Sequence, residues 1–73
     1  MCERPSIARE ISDLLDALPG LSASSEVRVA WFRRKAEIQR RIAAETDSPS
    51  MAEEAAEQAR ESDQRADEIE GGA

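Results

Sequence analysis

Apolar side chains in this chain recur at helical spacing in three separate stretches. In the first, Ile7, Ile11, Leu14, Leu15 and Leu18 make one continuous apolar face at about 100° per residue, with Asp13 and Asp16 off it. Pro5 and Ser6 mark its start, because proline is tolerated in a first helical turn and serine caps well. Pro19 and Gly20 end it. The pattern predicts a helix over about 5–18.

The second stretch has no glycine or proline between Leu21 and Ser48 and is rich in Ala, Arg and Glu, so a helix over about 23–45 is expected. Ser22 or Ser24 supplies its cap, with Glu26 in the first turn favoured by the helix dipole. Its apolar residues form two stripes. Val27, Trp31, Ile38 and Ile42 fall on one side, and Val29, Phe32, Ala36 and Ala43 on the roughly opposite side. The short connection between the first two helices favours antiparallel neighbours. The Ile7–Leu18 face then lies against the Trp31 stripe, and the Phe32 stripe asks for a partner of its own.

The third stretch follows turn residues Asp47, Ser48 and Pro49. Ser50 and Glu53 fit a capping box, and a helix over about 50–69 is expected. Ala52, Ala55, Ala59, Ser62, Ala66 and Ile69 alternate spacings of three and four, a coiled-coil-like seam in which only Ile69 is large. Such a seam buries little, and Glu53, Glu57 and Glu61 repel along one line. The expected fold is all-α: an antiparallel hairpin in residues 1–46, then a more weakly packed acidic Ala/Glu-rich helix in residues 47–73, frayed at Gly71, Gly72 and Ala73. Met1–Arg4 is also expected to fray.

Length sharpens this picture. A chain of 73 residues with 3% aromatics makes a thin core, and such chains usually need an oligomer or a staple. A second copy, the third helix or an unrelated protein would each complete it. The leading expectation is that Val29, Phe32, Ala36 and Ala43 contact another copy or a larger protein partner.

Charge is unevenly distributed. Residues 1–25 carry four acids and two bases, residues 26–45 three acids and six bases, and residues 46–73 nine acids and two bases. The net charge of −6 argues against general attraction to nucleic acid or an anionic membrane. Within the positive middle segment, Arg33, Arg34, Lys35, Arg40 and Arg41 form two basic clusters that suit phosphate contacts, with Trp31 or Phe32 placed to stack on bases. A small nucleic-acid-binding regulator is therefore the second reading. The acidic tail, opposite in sign, is suited to fold back on the basic helix and compete with a partner.

Several activities fall away. The chain has no histidine and one cysteine, Cys2, which excludes an internal disulfide and a Cys/His zinc site within one chain. Its three glycines, at 20, 71 and 72, make no phosphate loop. No nucleophile sits beside a base, and the single lysine, Lys35, lies among arginines. Neither an enzyme nor a small-molecule substrate, metal or cofactor is expected. No apolar run has the length of a bilayer span or of a signal-peptide core, so a cytoplasmic protein that does not bind membranes is the default expectation.

Overall fold

The computed structural model describes residues 6–20 and 22–72. The expected fraying of Met1–Arg4, the thiol of Cys2, the role of Pro5 and the end residue Ala73 lie outside the described residues. Three helices and no strand occur among the described residues: α1 (Ile7–Asp16), α2 (Ser25–Glu45) and α3 (Pro49–Gly72). The fold is all-helical, as the three periodic stretches require.

The caps follow local chemistry. Ser6 accepts from the Arg9 amide at 3.2 Å, and Ser24 accepts from the Val27 amide at 3.3 Å. α1 stops at Asp16, two residues short of the expected end, and Leu18 instead closes a turn onto the Leu15 carbonyl at 3.2 Å. α3 begins one residue earlier than expected. The Ser48 hydroxyl accepts from the Met51 amide at 3.4 Å, and Pro49 takes the first helical position, where its missing N–H is harmless. Ser48, not Ser50 of the expected capping box, is therefore the cap. At its other end α3 continues through Gly71 to Gly72, beyond the expected Ile69.

α2 lies between the other two helices. α1 and α3 both approach it closely and make no close approach to each other. The more extensive packing is between α2 and α3, which corrects the expectation of a weakly packed third helix. The physical reason lies in side-chain size. Ala55, Ala59, Ser62 and Ala66 of α3 are all buried, and so is Ala36 on α2. Small residues on facing sides let two helix backbones come together, so a seam that buries little per residue is still continuous over much of α3.

Polar bonds set the antiparallel register of this pair. The Ser62 hydroxyl donates to the Gln39 amide oxygen at 2.8 Å, and the Gln39 amide nitrogen lies 3.5 Å from the Gln58 oxygen. Ser62 is the buried polar member of the seam, and this bond satisfies it.

α1 is held more lightly, at two places. The Trp31 indole N–H donates to the Leu14 carbonyl at 2.8 Å. That carbonyl belongs to the last turn of α1, where carbonyls have no partner within the helix. Trp31 thus acts as a side-chain cap on a neighbouring helix. At the other end, Arg41 binds Glu10 at 2.5 Å and Glu45 at 2.7 Å. Leu14 and Ile38 are buried.

Candidate protein-interaction surface

The Phe32 stripe is occupied from within the chain. Ala36 is 0% exposed, while Val29, Phe32 and Ala43 are half-buried. Phe32 lines one open groove with Gln58, Glu61 and Ser62 of α3, and Val29 shares a cleft with Glu70. Of the occupants open to that stripe on sequence grounds, α3 is the one the fold supplies. The four residues are therefore not a free surface in this arrangement.

The basic residues divide differently. Arg33 pairs with Asp63 at 3.6 Å, with Asp67 at 3.0 Å and with Glu70. Arg40 pairs with Asp63 at 2.7 Å. Lys35 sits over the Trp31 ring, 5.6 Å from its centre, and that ring meets Phe32 edge-on at 5.1 Å. Arg34 is exposed and has no ion pair among the described residues. The hydrogen bonds that the Arg33 guanidinium donates to Asp67 and Glu70 hold it above its ordinary pKa. For Arg41, the bond to Glu45 raises the pKa, desolvation opposes it, and the bond to Glu10 adds to it. The acidic third helix thus lies along the basic one, with Asp63, Asp67 and Glu70 at the positions where a phosphate would meet Arg33 and Arg40.

A surface that the sequence pattern did not single out remains uncovered. On α1, Leu15 is 61% exposed, Leu18 just past its end is 59% exposed, and Ile11 is 37% exposed. Val27, at the same end of the molecule as Leu18, is 51% exposed. The cause is the open arrangement. Among the described residues α1 touches α2 alone, so α2 covers the side of α1 that carries Leu14 and no other described element covers the side that carries Ile11 and Leu15. Around the helix axis the uncovered arc runs through Ile11, Leu15, Ala8 and Ser12, and no charged residue falls in it. Next to it, Leu18, Pro19, Arg28, Trp31 and Phe32 line a shallow cleft. Met51, 54% exposed, is an isolated apolar residue beside Ile42 at the start of α3.

The signal for this surface was in the sequence. The five apolar residues of the first helix span a wide arc, and one neighbour covers only part of such an arc. No described helix is long and apolar enough to cross a membrane. Comparison with protein-family models, with curated proteins and with solved structures finds no match.

Proposed function

We propose that this chain is a non-catalytic helical interaction module of the cytoplasm, and that it acts by presenting the uncovered face of α1 to a protein. The supporting observation is the exposed set Ile11, Leu15, Leu18 and Val27 on a chain whose buried core is mostly alanine. Scattered apolar residues on a surface mean little, but Ile11 and Leu15 on one side of α1, with Leu18 just past its end, form an apolar strip of the kind that marks interaction sites. Acidic neighbours on the same helix, Glu10, Asp13 and Asp16, disfavour an anionic membrane as the occupant.

The alternative reading, a nucleic-acid-binding regulator, has less support. Arg33, Arg40 and Arg41 already hold carboxylates of the same chain, and a polyanion would have to displace them. A gel shift with mixed DNA and RNA at moderate salt is expected to show no complex.

A photo-crosslinking residue placed at Ser12, within the uncovered arc, tests the proposal in the expressing cell. Protein adducts, whether to a second copy or to another chain, are expected at Ser12 in excess of a control placed at exposed Glu57 on α3. Equal yields at the two positions would contradict it.

A further inference from the structure

We infer that α3 is an electrostatic mask: its carboxylates cover an arginine strip on α2 that binds the phosphate backbone of nucleic acid once the acidic row is neutralised or drawn away. The strip is separate from the α1 face, and the inference does not depend on that face having a partner.

The strip follows from the spacing of one helix. At about 100° per residue, Arg33, Arg34, Arg40 and Arg41 fall within about 120° of one another around α2, with Glu37 the one acid between them. The ion pairs locate it. Arg33 and Arg40 reach to Asp63 on α3, and Arg41 reaches to Glu10 on α1. α1 and α3 make no close approach to each other, so the side of α2 between them is left to these arginines. Arg34, next to Arg33, is exposed and has no ion pair among the described residues.

The mask is marked by surplus and by exposure. Asp63, Asp67 and Glu70, at spacings of four and three, share one face of α3 and converge on Arg33. Three carboxylates on one guanidinium exceed what charge balance needs. Asp67 is 70% exposed and Glu70 54% exposed, and pairs so exposed add little to stability. The α2–α3 seam already has its alanines and the Ser62–Gln39 bond. What the surplus does change is the local potential, turning a strip that attracts polyanions into one that repels them.

The strip suits phosphates better than a protein helix. No large apolar residue falls within it, so an interface core would find nothing to bury there. Each guanidinium presents a planar fork of donors that fits phosphate oxygens. The pairs Arg33–Arg34 and Arg40–Arg41 stand one heptad apart, about 10.5 Å along the axis. Three nucleotide steps of one strand cover about 10 Å, so both pairs reach phosphates of the same strand.

A gel shift of the full chain with a labelled mixed-sequence DNA duplex at about 50 mM salt tests this. One variant combines Asp63→Asn, Asp67→Asn and Glu70→Gln. A control combines Glu53→Gln, Glu54→Gln and Glu57→Gln, which removes the same three charges from the net −6 nearer the start of α3. The first variant is expected to bind about tenfold or more tightly than the wild type and the control. Its log–log salt slope should be roughly −2 to −4, about one per arginine engaged. Adding Arg33→Gln and Arg40→Gln should remove the gain. Should far-UV circular dichroism show lost helix in the triple variant, Asp67→Asn with Glu70→Gln decides, because both side chains are exposed and outside the seam. That pair should give a gain of about threefold or more. No gain, an equal gain in the control, or a gain that survives the loss of Arg33 and Arg40 would overturn the inference. Polyglutamate that displaces the duplex as well as unlabelled DNA does, at equal charge, would overturn the assignment to phosphate.

Discussion

At the scale of single residues, Trp31 and Ala36 illustrate two ways in which a thin core is held. Trp31 joins α1 to α2 through one bond from its indole N–H to the Leu14 carbonyl. Trp31→Phe keeps most of the apolar bulk and removes that donor, leaving the carbonyl dependent on water. A loss of about 0.5–1.5 kcal/mol is expected, measurable by denaturant unfolding. Ala36 works through absence of bulk. It is fully buried where α2 meets α3, and Ala36→Leu would force the helices apart. Overpacking of this kind costs about 1–3 kcal/mol and should be visible as a lower thermal midpoint. The role of Trp31 could not be read from the sequence, because its partner is a backbone carbonyl that no side-chain pattern encodes. The role of Ala36 was half legible. Its position on the second stripe was evident, but an alanine does not announce how closely a neighbour will approach.

Among the elements, α3 is the one whose importance the periodicity understated. The spacing of Ala55, Ala59, Ser62 and Ala66 identified the seam correctly, yet counting buried area per residue made it look weak. Close backbone approach and a row of carboxylates opposite Arg33 and Arg40 supply what the small side chains lack. Helix boundaries were largely legible from serine caps, and the start of α3 departed because proline at the first position makes Ser48 the better cap. Two expectations follow for this element. Asp63 receives both Arg33 and Arg40, so Asp63→Lys should lower the thermal midpoint by about 5 °C, and adding Arg40→Asp should recover part of it. The exposed pairs should weaken as sodium chloride rises toward 1 M, where screening reaches about 3 Å. The response to pH has a definite sign. Because the pKa values of Arg33 and Arg41 are raised, their stabilising contribution is fully present below the ordinary guanidinium range and is lost only above it. Circular dichroism between pH 7 and pH 10 should therefore show no loss of helix from these two groups.

For the whole molecule, three helices of this length meet two demands unequally. α2 has apolar residues on two sides. α3 covers the Phe32 side well, whereas α1 covers the Trp31 side at the expense of its own outer face. Triangular packing would have let α1 and α3 shield each other, but α1 has no close approach to α3 here. Part of this was legible in the sequence, since a double stripe on a short chain signals a surface left over. Which surface remains was only partly legible: the wide apolar arc of the first helix was evident, but whether alanine-rich α3 docks on α2 was not. Phe32→Asp separates the two possibilities: it should loosen α3 from α2 while leaving the Ile11–Leu15 face unchanged.

Amide hydrogen exchange of the full chain, followed by mass spectrometry, tests the account most directly. α2 and α3 should be protected together, and α1, which packs on α2 alone, should exchange faster than either. An α3 that exchanges like an unfolded segment, or an α1 protected as strongly as α2, would contradict it.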